Sequence, residues 1–247
     1  MMFDPIIIIA ILVAFALGGI LKGATGAGAP IITIPVIAAF YDVRVAVVIM
    51  VIPNLLTNIG QLYQFRKTIM PRFFTVSFAL GGGLGALLGT ILLANLSIKT
   101  LTLAVAFIIL IYISLKLIIP TWKLNYTKAK KLVFLMGAGG GVLQGAAGLS
   151  APISLTFLNS MKLERNQFIP TISVYFGVMS LFQMPALYFY KFLNIETLII
   201  SCLSTIVLML FMPLGSWIAK SISKETFDKL ILILLSFIAL RIIYLNY

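Results

Sequence analysis

The sequence predicts an all-α polytopic membrane protein, and three observations support that fold class. Of 247 residues, 62% are apolar and only 10% are charged, and the mean hydropathy is +1.16. A soluble domain could not cover that much apolar surface. The charged residues form short clusters separated by apolar stretches of about 20 residues, the length that crosses a bilayer. The chain also repeats itself, which indicates two homologous halves.

The repeat is visible when the chain is compared with itself at an offset of 122 residues. GGILKGATGAGAPI at 18–31 then lies over GGVLQGAAGLSAPI at 140–153, with nine identities in fourteen positions. Duplicated halves are common in secondary transporters. We therefore divide a single transmembrane domain into an N-terminal repeat, 1–122, and a C-terminal repeat, 123–247.

Each half contains five apolar segments, and the first two are short. The first helix begins at Asp4-Pro5, a helix cap followed by proline, without the basic leader of a signal peptide. The segments of the N-terminal half are 5–21, 29–40, 43–65, 73–95 and 98–119. Those of the C-terminal half are 132–145, 151–160, 167–190, 197–219 and 229–246.

The two short segments of each half are predicted to form a broken helical hairpin. One continuous helix over 5–40 would measure about 54 Å, too long for a single crossing of a roughly 30 Å hydrocarbon core. Three transmembrane helices follow each hairpin. The prediction is therefore eight to ten membrane segments in all.

Charge counting favours inverted repeats over parallel ones. A hairpin that returns to its own side inverts the second half and places 13 of the 18 lysines and arginines on one face, whereas single crossings place ten there. Basic loops stay in the cytoplasm, so we expect a multi-pass cell-membrane protein with cytoplasmic loops at 66–72 and 120–131. This topology also explains the net charge of +12 without nucleic acid.

The two glycine-rich breaks are the predicted substrate site. A break at membrane depth is tolerated only where the freed backbone groups face protein or a watery cavity. The amides of 26–29 and of 148–151 are expected to point into one cavity near the midplane, with the positive ends of helix dipoles behind them. Such a site prefers an anion.

Lys22 strengthens this preference, because a lysine at membrane depth is costly unless it pairs, snorkels or binds a ligand. The aligned residue, Gln144, is neutral, so the predicted site is charged on one side only. The alternative is that Lys22 snorkels to the membrane surface.

Polar residues along two repeat-related helices also suggest a substrate path. Asn54, Asn58 and Gln61 share one helix face, and routine interhelical hydrogen bonding explains such a stripe equally well. The repeat-related helix offers Ser173, Ser180 and Gln183. Hydroxyl groups with weaker claims are those of Thr25, Thr33, Thr57, Ser150 and Ser154. The predicted substrate-binding residues are Lys22, Gly23, Thr25, Gly26, Gly28, Asn54, Asn58, Gln61, Gln144, Gly145, Gly148, Ser150, Ser180 and Gln183.

Several residue types are missing or misplaced for catalysis. The chain has no histidine, and its six acidic residues fall at predicted helix ends, so no catalytic or metal site is predicted, and no cofactor. The single cysteine, Cys202, is expected to be a small core residue. Gly81, Gly85 and Gly89 indicate close helix packing rather than ligand binding.

The paired motifs GGILKGATGAGAPIITIP and GGGVLQGAAGLSAPISL resemble those of the TauE/SafE family of sulfite exporters. The resemblance implies export of small sulfur-containing or organic anions, such as sulfite or organosulfonates. Family members carry a denser glycine run after each break, so the resemblance does not specify the substrate. We expect a secondary transporter of small anions working by alternating access. A passive anion channel and a non-transporting subunit of a partner complex are the alternatives, and the sequence does not predict an oligomeric state.

Overall fold

The computed structural model describes residues 5–118 and 122–221, together with 229, 232–233, 235–240 and 244. Within these residues the chain is helical and contains no strand. Its helices are α1 (Pro5–Thr25), α2 (Ala29–Phe40), α3 (Val43–Phe65), α4 (Arg72–Asn95), α5 (Ile98–Ile118), α6 (Tyr126–Ala147), α7 (Ser154–Ser160), α8 (Arg165–Phe189) and α9 (Ile195–Ser221). Of the predicted segment 229–246, the residues 229, 232–233, 235–240 and 244 are described, and they are helical; its bounds lie outside the described residues.

The predicted segment 29–40 matches α2 and the later described helices match closely, but α1, α6 and α7 differ from their predicted bounds. Helix α1 continues four residues past its predicted end, so Lys22 lies inside its last turn rather than in the break. Helix α6 begins six residues early because Asn125 caps it, accepting a hydrogen bond from the Lys128 amide at 3.0 Å. Helix α7 is shorter than predicted, because 151–153 form a turn.

Six helices of the described chain are long and apolar enough to cross a membrane, namely α1, α3, α4, α5, α8 and α9. Their outward surfaces carry large hydrophobic side chains such as Leu88 and Leu210, as expected for contact with lipid. The prediction of a buried Cys202 was wrong: its side chain is exposed on this outer surface of α9.

The helices pack in matching pairs around a central contact between α3 and α8. Helix α4 packs on α6, and its repeat counterpart α9 packs on α1. A Cβ atom at Gly145 would collide with the carbonyl oxygen of Ala86, and one at Gly23 with that of Met212. The prediction of close packing along Gly81, Gly85 and Gly89 is confirmed, because each lies against the α6 backbone.

The connecting loops gather at two ends of the molecule. At one end Thr68 donates a hydrogen bond to the Asn166 carbonyl at 2.5 Å, and the Leu124 amide donates to the Ser160 carbonyl at 2.9 Å. At the other end Arg44 donates to the Leu93 carbonyl at 3.0 Å. The basic loops at 66–72, 122–125 and 161–164 therefore share one end of the molecule.

Candidate functional site

The centre of the molecule is a polar seam between α3 and α8. The two helices run antiparallel there. Asn54 on α3 contacts Ser180 on α8, whereas Asn58, one turn later on α3, binds Lys22 Nζ, which lies over the ring of Phe176, one turn earlier on α8. Every member of the seam is buried. We use the name polar seam for Lys22, Asn54, Asn58, Gln61, Gln144, Ser173, Ser180 and Gln183.

Lys22 lies fully inside the protein, with 1% of its side chain exposed. Its Nζ donates a hydrogen bond to Asn58 Oδ1 at 2.9 Å and lies 5.9 Å from the centroid of the Phe176 ring. The side chain therefore does not snorkel. Within 5–118 and 122–221, no carboxylate pairs with it. An ammonium group has three N–H donors, so two remain for a ligand.

A chain of amide and hydroxyl groups continues from Lys22 into the other half. Asn58 Nδ2 donates to the Asn54 carbonyl at 2.6 Å and to Asn54 Oδ1 at 3.1 Å. Asn54 Nδ2 in turn donates to Ser180 Oγ at 3.2 Å. The stripe of polar residues on α3 therefore makes interhelical hydrogen bonds, and through Asn58 it also binds the Lys22 ammonium group.

The first break is closed by side chains that satisfy the last carbonyls of α1. Gln61 Nε2 donates to the Lys22 carbonyl at 3.3 Å. The Gly23 carbonyl accepts from Arg165 at 2.9 Å and from Ser216 at 3.0 Å. The sequence predicted Arg165 only as a charged loop residue. The repeat does not indicate its bond to the Gly23 carbonyl, because the residue aligned with Arg165 is Val43.

At the second break the corresponding hydrogen bond to a carbonyl at the helix end is longer. Gln183, aligned with Gln61, donates through Nε2 to the Gly145 carbonyl at 3.5 Å. Ser154 Oγ donates to the Ser150 carbonyl and lies 2.9 Å from Ser150 Oγ. Gly148 adopts a φ of 71°, as Gly26 does at 83°, a left-handed conformation that favours glycine at both breaks.

The expectation for the break amides was wrong at two positions. The amides of Gly26 and Gly148 end the preceding helices by donating to the carbonyls of Lys22 and Gln144, at 2.7 and 2.8 Å, so these two are not free for a ligand. The two breaks contact α8 at different places. Gly26 lies against Ile169 near the start of α8, whereas the Gly145 carbonyl, just before the second break, accepts from Gln183, fourteen residues later and about 20 Å along the helix.

Not every predicted hydroxyl is free to bind a ligand. Thr25, Thr33 and Thr57 donate to backbone carbonyls four residues earlier, a local bond that is common in membrane helices. Three buried side-chain atoms of the described residues have no hydrogen-bond partner: Gln61 Oε1, Gln144 Oε1 and Ser173 Oγ. All three belong to the polar seam, so unused hydrogen-bonding capacity is concentrated there.

The described residues contain no group of three or more His, Cys, Asp or Glu side chains that could hold a metal ion. The seam therefore offers one cation, amides and hydroxyls. Comparison with protein families found a match to the model described as sulfite exporter TauE/SafE, over residues 10–242. Comparisons with curated proteins and with solved structures found no match.

Proposed function

This chain belongs to the TauE/SafE sulfite exporter family, and on that premise we propose that it is a secondary transporter that binds a small anion at the polar seam. The observation that carries the proposal is the buried ammonium group of Lys22, which has a hydrogen bond to Asn58 but no carboxylate counter-ion among the described residues. Burying a cation without a counter-ion is costly unless a ligand supplies the negative charge. A bound anion would accept hydrogen bonds from the two unused N–H groups of Lys22 and neutralise the charge of its ammonium group. Sulfite and organosulfonates are the substrates we favour, moved outward.

We propose further that the two halves are inverted repeats that move relative to each other around the seam. Matching contacts support this: α4 packs on α6 as α9 packs on α1, and the glutamines of α3 and α8 close one break each. The seam residues are buried, so a substrate needs a rearrangement to reach them. Arg165 and Ser216 hold the first break shut from α8 and α9. Releasing these bonds is our proposed opening step.

The full burial of Asn58 and Lys22 disfavours a continuously open pore, which is the arrangement that a passive channel needs. Purified protein in liposomes tests the point. We expect unlabelled sulfite loaded inside the liposomes to drive uptake of external labelled sulfite against its gradient, in counterflow. Flux that only follows the gradient would indicate a channel, and absence of flux for sulfite and simple sulfonates would refute transport of this class.

The proposed topology makes a separate prediction for chemical labelling. With Cys202 replaced by alanine, single cysteines at Lys128 and Lys162 should react with an impermeant maleimide from the same side of the membrane. A cysteine at Ser97 or Lys191 should react only from the other side, because those positions lie at the opposite end of the helices. Labelling of Lys128 and Lys162 positions from opposite sides would disprove the inverted arrangement.

A further inference from the structure

The buried amide oxygen of Gln61, which has no hydrogen-bond partner, bears on which kind of anion can bind at the polar seam. The Gln61 amide has a fixed orientation, because its Nε2 donates to the Lys22 carbonyl at 3.3 Å. Its Oε1 is consequently left buried without a donor. A buried amide oxygen without a hydrogen bond is unfavourable, and nearly all such groups in folded proteins are paired.

This acceptor lies close to the proposed anion-binding cation. Asn58, which holds Lys22 Nζ, and Gln61 are three residues apart on α3 and therefore occupy neighbouring positions on one helix face, with Cβ atoms about 5–6 Å apart. Lys22 offers donors and Gln61 offers an acceptor. Fully deprotonated anions such as sulfate can only accept hydrogen bonds, so they would leave the Gln61 oxygen unpaired.

We propose that the seam selects small anions that also carry their own hydrogen-bond donor, such as a hydrogen oxyanion or a hydroxyl-bearing sulfonate. The anionic group would accept from Lys22, and the O–H would donate to Gln61 Oε1. This proposal rests on the proposed function, since it assumes that an anion binds at Lys22. It adds a chemical criterion that the charge of Lys22 alone does not supply.

Gln144 carries a second unpaired acceptor on the other half, at the position aligned with Lys22. No hydrogen bond between described residues fixes its amide, so either end of the group can face the seam. Gln61 is therefore the stronger assignment. A site that hydrogen-bonds a substrate hydroxyl rejects the analogue that lacks it, because the buried protein group is then left unpaired.

Hydroxymethanesulfonate and ethanesulfonate make a matched pair for the test, since they differ only in a hydroxyl against a methyl group and both stay singly charged. We expect calorimetric titration of the detergent-purified protein to show at least about tenfold tighter binding of the hydroxylated anion. The Gln61→Met variant should bind the two anions within about twofold of each other. Asn95→Met is the control, because it loses a bond from a side-chain amide to a helix carbonyl, at 2.8 Å, at a position outside the polar seam, and should keep the preference.

The outcomes separate this inference from the proposed function. If wild-type protein binds neither anion, the anion site itself is wrong. Equal binding of both anions by wild-type protein would overturn the donor criterion and leave the transporter proposal intact. Loss of the preference in Gln144→Met but not in Gln61→Met would overturn the assignment of Gln61.

Discussion

Replacing Lys22 with glutamine is expected to weaken anion binding by about 30-fold or more, which corresponds to roughly 2 kcal/mol. The substitution places in the first half the residue that the second half already carries at Gln144. Glutamine can still reach a neighbouring amide, but it provides no positive charge, and a charge-assisted hydrogen bond is about twice as strong as a neutral one. Binding of sulfite and of simple sulfonates, measured by calorimetry, is the readout.

The same substitution should not unfold the protein. Lys22 places a cation in the protein interior with a single hydrogen-bond acceptor, so a neutral side chain of similar length removes a desolvation cost. We therefore expect the thermal unfolding midpoint of the ligand-free variant to equal or exceed that of wild type. Weak binding combined with unchanged stability separates loss of the site from loss of the fold.

Gln144→Ala is the matched control in the second half. It removes a neutral group and should reduce affinity by less than about fivefold, the effect of losing at most one uncharged hydrogen bond. Equal affinity of wild type and Lys22→Gln would rule out charge attraction at this position. A larger effect at Gln144 than at Lys22 would move the anion site into the other half.

Much of the fold was predictable because lipid imposes one strong rule on the backbone. Every spanning segment must satisfy its own hydrogen bonds, so long apolar runs become helices, and the predicted bounds of 43–65 match α3. The bounds of α1, α6 and α7 were harder to predict. Glycine and lysine near a break are compatible with both helix and loop, and the structure places Lys22 inside α1, where its carbonyl accepts from the Gly26 amide.

The candidate site was predictable in its composition but not in its position. Polar residues in an apolar chain are few, and the repeat aligns Gln61 with Gln183, so the sequence identifies the right side chains. Their arrangement depends on how α3 and α8 pack, which no local pattern encodes. The sequence therefore predicted a site at the breaks, whereas the unpaired buried polar atoms lie along α3, α6 and α8, and the contacts of the two breaks with α8 are about 20 Å apart along that helix.

Replacing Gly85 with alanine is expected to be strongly destabilising, lowering the free energy of unfolding by about 2–3 kcal/mol. A Cβ atom there would collide with the Ala138 carbonyl oxygen and lie 2.9 Å from the Val142 amide nitrogen. Both obstacles are backbone atoms of α6, so no side chain can rotate away. The two helices must separate, and the neighbouring contacts that depend on close approach weaken with them.

Gly60→Ala supplies the control, because it adds the same methyl group to a helix interior where no atom lies within 4 Å of the new carbon. Alanine has the better helix propensity, so this variant should be as stable as wild type or up to about 1 kcal/mol more stable. Thermal unfolding in detergent should separate the two variants clearly. Gly23→Ala, which meets the Met212 carbonyl of α9, should resemble Gly85→Ala if the repeat-related interfaces are equally close. A tolerated Gly85→Ala would contradict the close packing of α4 on α6.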